Sequence, residues 1–258
     1  MISIDPFSET WDNFANKEPY WSIITDNKYK NKNISNLDIQ EFYNSGLEDW
    51  DDDLYYIYQK YNKNKHRVLD IGSGLGRISM HAAKVFDHIT CVDISQIYLN
   101  KLKYIFNNYG IENYNLLHLN KFMNKVHKPY DFIYSILTLQ HSPPDIIEYI
   151  VDKCCQILKQ NGIAILHIPY WIENYHIPST TTAIDMYYVE KEKIYNICSK
   201  RNIVVQEEME ANVDNGVHGC YYILQAISDD YKKNNMLKYK LKSNPIFNNH
   251  LNMIKKNK

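Results

Sequence analysis

Three glycines at alternate positions follow a short apolar run, and this stretch most constrains what the chain can fold into. The run Val68–Ile71 has the composition of a buried strand, and Gly72, Gly74 and Gly76 come directly after it. Apolar side chains then recur at helical spacing over Arg77–Phe86. A strand, a loop without side chains and a helix N-terminus form a place where a ligand can approach the backbone closely. The sequence therefore predicts an α/β protein with a ligand site at this loop.

The spacing of the glycines and a neighbouring acid indicate which ligand the loop holds. A dinucleotide fingerprint, G-x-G-x-x-G, would need a glycine where the chain has Arg77. Asp70 precedes the loop, and its carboxylate would repel a diphosphate and attract a cation. S-adenosylmethionine (SAM) carries both a sulfonium and an ammonium. The pattern D-x-G-x-G-x-G resembles motif I of the class I SAM-dependent methyltransferases, and a tight turn without a ligand is the alternative.

Composition is that of a globular protein with one large domain, or one domain and a lid. The chain has 258 residues, of which 45% are hydrophobic and 23% charged, and its net charge is −1. A charge so close to zero gives no overall attraction to nucleic acid. No run approaches the length of a membrane helix and no leader is evident, so we expect a cytoplasmic protein without membrane insertion. Five cysteines without C-x-x-C spacing predict buried free thiols and no metal site.

Further apolar runs alternate with helical patterns along the chain. Six more strands are predicted over 89–93, 115–119, 131–137, 163–169, 203–209 and 221–228. Helices are predicted over 37–43, 50–61, 96–108, 145–159 and 191–201. Asn161 and Gly162 are expected to end the fourth of these helices. Residues 1–35 are expected to be irregular and rich in aromatic side chains.

The methyltransferase resemblance covers about residues 60–228 and implies a fold. The family has a doubly wound, mostly parallel sheet of seven strands, a Rossmann-like arrangement in the order 3-2-1-4-5-7-6 with the seventh strand antiparallel. We expect an N-terminal cap of helices and aromatic residues (1–61), a SAM-binding domain (62–228) with a substrate loop (170–188), and a basic tail (229–258). The segment Phe14–Trp21 also resembles a bacterial subgroup that often acts on small molecules and precursors of surface sugars.

The resemblance implies cofactor contacts from the loop after the first strand. Asp70 would face the methionine end of SAM, directly or through water. Gly72, Ser73 and Gly74 would supply backbone contacts.

Further cofactor contacts are implied at the ends of the next three strands. Asp93 ends the second strand, where nucleotide-binding folds place an acid that accepts from ribose hydroxyls. Ile94 would flank the adenine, and Ser135 would lie near the sulfonium. Asn120 stands where the family commonly has Asp, and its carbonyl oxygen would accept from the adenine amino group.

Histidines near the predicted crevice are candidates for the general base. Transfer of the sulfonium methyl needs an in-line nucleophile and exclusion of water. An oxygen acceptor must also lose its proton, and histidine titrates near neutral pH. His141, after the fourth strand, is the leading candidate, and His167 and His218 are others, although each has a structural alternative. A phosphate-type oxygen would need no base, only cationic groups.

Several large or charged side chains are candidates for contacts with the methyl acceptor. Arg77 could bind an anionic substrate or the cofactor carboxylate, or face solvent. The remaining candidates could equally belong to the core or surface: Tyr20, Trp21, Tyr170, Trp171 and His176.

Together these patterns predict an enzyme that converts SAM to S-adenosylhomocysteine (SAH) while methylating a small molecule, most simply at oxygen. The subgroup resemblance implies a sugar, nucleotide-linked or phosphate-bearing precursor of a surface polysaccharide as the acceptor. A nucleic-acid or protein methyltransferase is the alternative, although the N/D-P-P-Y/F motif is missing after the fourth strand, where Ser135–Thr138 stand. A non-catalytic cofactor-binding subunit and a nicotinamide oxidoreductase are further alternatives, and the oligomeric state is not predicted.

Overall fold

The computed structural model describes residues 5–125, 128–176, 185–212 and 216–227. The chain divides into a compact unit, Met1–Ala226, and a second unit, Ile227–Lys258, of which only Ile227 is described. The expected tail and residues 177–184 of the expected substrate loop lie outside the described residues. No helix within the described part is long and apolar enough to cross a membrane.

The described residues form seven strands and eight α-helices. The strands are β1 (Arg67–Ile71), β2 (His88–Asp93), β3 (Tyr114–His118), β4 (Tyr130–Ser135), β5 (Leu158–Ile172), β6 (Ile203–Glu210) and β7 (Val217–Ala226). The helices are α1 (Asp5–Lys17), α2 (Asn36–Glu48), α3 (Tyr56–Tyr61), α4 (Ser79–Val85), α5 (Gln96–Asn108), α6 (Leu119–Asn124), α7 (Pro144–Ile157) and α8 (Lys191–Lys200). A π-helix over Asp49–Tyr55 joins α2 to α3, and 3-10 turns lie at Asn27–Tyr29 and Leu139–His141.

The strands form one mixed sheet in the order β3-β2-β1-β4-β5-β7-β6, which confirms the predicted fold. The pairs among β1 to β5 are parallel, and β7 runs antiparallel to both β5 and β6. Successive residues point to opposite faces of a strand, so Val68 and Leu69 belong to different cores. Both are fully buried, because helices cover both faces of the sheet. The five cysteines are buried and free, as expected.

The N-terminal segment differs from the prediction, because α1 occupies much of the stretch expected to be irregular. Phe7, Trp11 and Ala15 recur every four residues and form one face of the helix. Phe7 and Ala15 are buried and Trp11 is half-buried. A single short helix is marginal by propensity and is stabilised mainly by packing of its apolar face, so composition gave a weak signal for it.

The path from α7 into β5 also differs from the prediction. The helix ends at Ile157 and β5 begins at the next residue, so Asn161 and Gly162 do not cap the helix. Asn161 has a φ of 64°, and the pairing of β4 with β5 shifts register across this stretch. At its other end β5 continues to Ile172, three residues beyond the predicted limit, because it remains paired with β7.

We expect the replacement Gly76→Ala to destabilise the fold more than Gly110→Ala. Both glycines have positive φ, 77° and 65°, so each substitution strains the backbone by about 1–2 kcal/mol. A Cβ on Gly76 would also lie 2.3 Å from Cδ1 of the buried Leu102, whereas a Cβ on Gly110 meets nothing within 4 Å. Overpacking adds about 1–3 kcal/mol at Gly76. Urea unfolding followed by circular dichroism measures the difference, and equal losses in the two variants would contradict this explanation.

Candidate active site

A cavity of about 330 Å³ opens at the C-terminal ends of the central strands. Its floor comes from the strand ends and the glycine loop, and its walls come from the N-terminal cap and the turn after β4. Side chains that line it include Phe7, Trp11, Ser22, Ile23, Asp70, Ser73, Arg77, Asp93, Ile94, Tyr98, Leu119, Tyr134, Leu137, Thr138, Gln140 and His141. Ligands of open α/β sheets bind at this edge in general.

The N–H groups of the glycine loop already have partners within the protein. Gly72 and Ser73 donate to the carbonyl oxygen of Val92 at 2.8 and 3.1 Å, and Gly76 donates to Ser73 at 2.8 Å. Gly74 donates to Oδ2 of Asp93 at 2.7 Å. A diphosphate needs free N–H groups at such a loop. These four groups are committed, which disfavours the nicotinamide alternative.

Asp93 joins the glycine loop to the turn after β2. Its Oδ2 accepts from Gly74, and its Oδ1 accepts from the N–H of Ser95 at 2.9 Å. Burial raises the pKa of this carboxyl to about 6, and the nearby charge of Asp12 contributes in the same direction. Each carboxylate oxygen can accept a second hydrogen bond, so the group can still bind hydroxyls in the cavity.

Asp70 is the second acid on the cavity floor. Ser79 Oγ and Tyr134 OH both donate to its Oδ2, the latter at 2.9 Å. Burial raises the pKa of the Asp70 carboxyl to about 7, and the two hydrogen bonds oppose that shift. Two carboxyls with raised pKa values therefore line one cavity, an arrangement that a cationic ligand would stabilise.

The N-terminal helix reaches the same edge of the sheet through polar contacts that sequence analysis missed. Asp12 Oδ1 accepts from the hydroxyl of Ser95 at 2.5 Å and from the N–H of Ile97 at 3.2 Å. Ser8 donates to the carbonyl oxygen of Ile94 at 2.9 Å. Asp12 thus stabilises the N-terminus of α5, where negative charge is favourable. Some eighty residues separate the partners, and no local motif marks such a contact.

The turn after α1 also lines the cavity, but through residues other than those predicted. Ser22 Oγ lies 2.5 Å from Tyr98 OH, and Ile23 packs on the glycine loop. Tyr20 packs edge-on against Phe42 at 5.0 Å, and Trp21 packs beside Phe14 and Lys30. Neither predicted ring is among the residues that line the cavity.

Among the candidate bases, the structure brings only His141 to the cavity. Its Nδ1 lies 3.2 Å from the carbonyl oxygen of Asp185, and its Nε2 lies 3.2 Å from Nε2 of Gln140. The Trp11 ring packs edge-on against it at 5.6 Å. Burial lowers the pKa of His141, which favours the neutral imidazole.

His167 and His218 lie elsewhere. His167 is buried within β5, and its Nε2 donates to the carbonyl oxygen of Ala211 at 2.9 Å. His218 lies 3.4 Å from a carboxylate oxygen of Glu173 and packs against Trp171. Neither lines the cavity, so neither is placed to take a proton from a ligand there.

Two predicted cofactor contacts also lie away from the cavity. Ser135 is fully buried, and its hydroxyl donates to the carbonyl oxygen of Ile71 at 2.9 Å, which links β4 to β1. Asn120 lies in α6, and its backbone carbonyl oxygen accepts from the side-chain NH2 of Asn124 at 2.8 Å. Asn120 is not among the residues that line the cavity. Leu119, its neighbour, lines the cavity instead.

The predicted acceptor contacts divide in the same way. Arg77 lines the cavity, and its guanidinium bonds to Asp49 at 2.5 Å and Ser45 at 3.2 Å. Tyr170 donates to Glu210 at 3.0 Å. Trp171 and His176 are exposed, and like Tyr170 they do not line the cavity.

Comparison with known proteins finds a family match over the central part of the chain. Residues 68–162 match a family described as a methyltransferase domain. No curated protein matches the sequence. These residues span β1 to the start of β5 and include the glycine loop, both buried acids and His141.

Solved structures share the fold at low sequence identity. Magnesium protoporphyrin IX methyltransferase from Synechocystis PCC 6803, with bound SAH, is 13% identical and has a TM-score of 0.62, with 88% of this chain and 100% of that one covered. A SAM-dependent methyltransferase from Clostridium acetobutylicum is 12% identical, with a TM-score of 0.56 and coverage of 84% and 99%. One from Methanosarcina mazei is 17% identical, with a TM-score of 0.54 and coverage of 69% and 100%.

Residues 68–162 thus match a methyltransferase domain, and solved SAM-dependent methyltransferases share the fold of this chain. The cavity suits the cofactor by its own chemistry. Two buried carboxyls favour a cationic ligand, and the hydroxyl of Ser73 is buried without a partner among the described residues. The conformation of the loop requires glycine, because Gly72 and Gly74 have φ values of 84° and 50° that other residues rarely adopt.

We expect Asp12→Ala to weaken the attachment of α1. The variant loses the acceptor for Ser95 and Ile97 and the charge at the N-terminus of α5, which together contribute about 1–2 kcal/mol. It should also lower the pKa of Asp93, because a neighbouring negative charge is removed. Glu9→Ala, an exposed change on the same helix, is the control. Urea unfolding measures the stability, and an Asp12→Ala protein as stable as the control would contradict the assignment.

Proposed function

We propose that this enzyme methylates an oxygen of a small acceptor and that His141 removes the acceptor proton. The observation that carries the proposal is the position of His141, a neutral histidine on the wall of a cavity whose floor holds two acids. Bound SAM supplies an activated methyl group. Positioning of the two reactants can contribute about 7–11 kcal/mol to such a transfer.

The chain's own residues divide this work among them. In the proposal Asp93 binds the ribose hydroxyls, and Asp70 faces the cationic methionine end of SAM. Ile94 lies beside the adenine. The cofactor lies on the glycine loop and contacts Gly72, Ser73 and Gly74. Asn120 and Ser135 act indirectly, through α6 and through β4. Phe7 and Trp11, which line the cavity from α1, exclude water, and this favours attack of an anionic oxygen on a sulfonium.

The orientation of His141 supports its role as a base. A carbonyl oxygen can only accept, so the contact with Asp185 requires a hydrogen on Nδ1. In the neutral ring Nε2 then carries the lone pair, which in the free protein accepts from the side-chain NH2 of Gln140 at 3.2 Å and takes the acceptor proton when that contact is exchanged. A base held in one tautomer by a second group is the usual arrangement for proton removal.

The acceptor class is proposed from the resemblance of Phe14–Trp21 to a subgroup that acts on precursors of surface sugars. A sugar, nucleotide-linked or phosphate-bearing precursor would bind beside Arg77, whose guanidinium has five N–H donors and uses only those of NH1 in its bonds to Asp49 and Ser45. A polymeric nucleic acid has less support, since the net charge is −1.

The base assignment predicts a selective loss of turnover in His141→Asn. With an acceptor found by screening sugars and nucleotides for SAH release, kcat should fall about 10²- to 10⁴-fold. The affinity for SAH, measured by calorimetry, should stay within about threefold. His66→Asn, at an exposed histidine paired with Asp87, is the control. Unchanged turnover in His141→Asn would remove His141 from the mechanism and favour a phosphate-type oxygen.

The raised pKa values of Asp70 and Asp93 predict that the protein binds SAM more tightly as the pH rises. Their pKa values of about 7 for Asp70 and about 6 for Asp93 are raised in the free protein. A cationic ligand favours the ionised forms, so binding below these values must release protons. The association constant should rise by up to about fiftyfold from pH 5 to pH 6, where both groups release protons, by up to about tenfold from pH 6 to pH 7, and level off near pH 7.5.

Calorimetry across this pH range measures the effect. Asp70→Asn should flatten the rise, because one of the two titrating groups is removed. A wild-type affinity that does not change between pH 5 and pH 7.5 would contradict the proposed cofactor contacts.

A further inference from the structure

The amide oxygen of Gln140 is a buried acceptor without a partner. Gln140 is 4% exposed and lines the cavity within the turn Leu139–His141. Its Oε1 makes no hydrogen bond to any described residue. Buried polar atoms are satisfied in the great majority of cases, and an exception inside a ligand cavity points to a group that the ligand supplies.

The orientation of this amide follows from its neighbour. His141 Nδ1 donates to the carbonyl oxygen of Asp185, so Nε2 of the neutral ring can only accept. The side-chain group of Gln140 that lies 3.2 Å from this nitrogen must then be the NH2. A flipped amide would place two acceptors against each other. The Oε1 atom is therefore the end of the side chain left for another partner.

The backbone holds the residue from both sides. The carbonyl oxygen of Gln140 accepts from the N–H of Tyr187 at 2.8 Å. The next residue, His141, donates its N–H to Thr138 at 3.1 Å. With the backbone and the NH2 group both engaged, Oε1 cannot turn toward a partner within the protein without breaking these contacts.

We propose that Gln140 Oε1 accepts an N–H or O–H hydrogen from a bound ligand and selects ligands with an uncharged or cationic donor at this point. Two groups could donate this hydrogen, the α-ammonium of the cofactor and a hydroxyl or amine of the methyl acceptor. A donor on the methyl acceptor rests on the proposed function. A phosphate or carboxylate oxygen without a hydrogen is rejected here, because it would face the amide oxygen directly. An acceptor's phosphate must then lie elsewhere, and Arg77 lines the same cavity.

Two variants separate this role from one in which Gln140 only positions His141. Gln140→Met has a similar length and neither acceptor nor donor. Gln140→Glu keeps acceptor oxygens and, at pH 8, has no hydrogen to donate to His141. If Gln140 Oε1 accepts a hydrogen from the ligand, Gln140→Met loses affinity for that ligand and Gln140→Glu retains it. If Gln140 contributes only through its NH2 group on His141, both variants lose activity to the same extent.

Binding and kinetics at pH 8 then identify the source of the donor. SAH and methylthioadenosine, which lacks the amino-acid end, are titrated by calorimetry into the wild type and both variants. If the ammonium is the donor, Gln140→Met binds SAH about 5- to 30-fold more weakly than the wild type and binds methylthioadenosine with unchanged affinity. The affinity of Gln140→Glu for SAH then stays within about threefold of the wild-type value. If the acceptor is the donor, SAH affinity is unchanged and KM for the screened acceptor rises by the same factor in Gln140→Met alone.

Equal losses of activity or affinity in Gln140→Met and Gln140→Glu would overturn the assignment. It would also be overturned if both variants kept the wild-type affinity for SAH and the wild-type KM for the acceptor. Failure of the proposed function is a separate result, in which the wild type binds SAH and methylates no acceptor. The SAH titration then decides alone, and equal affinities in the three proteins overturn the assignment.

Discussion

The buried carboxylate of Asp93 is the contact on which the rest of the site depends. Its two oxygens join the glycine loop after β1 to the turn after β2, and the hydroxyl of that turn's Ser95 continues the connection to Asp12 on α1. Burying a carboxylate is unfavourable unless hydrogen bonds compensate, and burial raises the pKa of Asp93 although backbone N–H groups oppose the shift. A ligand that brings further donors stabilises the charged form, so ligand binding and the order of the loop, α5 and α1 are linked.

The sheet could be predicted because its signal is local and repeated. Each central strand is an apolar run covered on both faces, and an acid at the end of such a run marks the ligand edge, as Asp70 and Asp93 do. The order of the strands came from the resemblance. The contribution of α1 could not be predicted in this way, because its helical state and the role of Asp12 both depend on partners far along the chain.

The side chains of β5 show why a position near the cavity does not place a residue in it. His167 lies toward the ligand edge of the sheet, yet its ring crosses β7 at Gly219 and reaches Ala211 on the far side. A Cβ on Gly219 would lie 2.9 Å from His167 Nε2, so that glycine makes room for the ring. Beyond it β5 continues as a two-stranded extension with β7, which leaves Trp171 48% exposed. Periodicity gives the face of a strand but not the length of its pairing.

Backbone strain marks the turn after β4 independently of the side-chain contacts. Of the non-glycine residues with positive φ in the described chain, three are Asn and the fourth is Leu137, with a φ of 52°. Asparagine tolerates this conformation, whereas leucine does so at a cost of about 1–3 kcal/mol and persists there only where its surroundings require it. The hydrogen bonds of Ser135 to Ile71 and of Thr138 to Ile136 fix the chain on either side. The strained residue therefore lies between the end of β4 and the turn that carries His141, which lines the same cavity as the two acids.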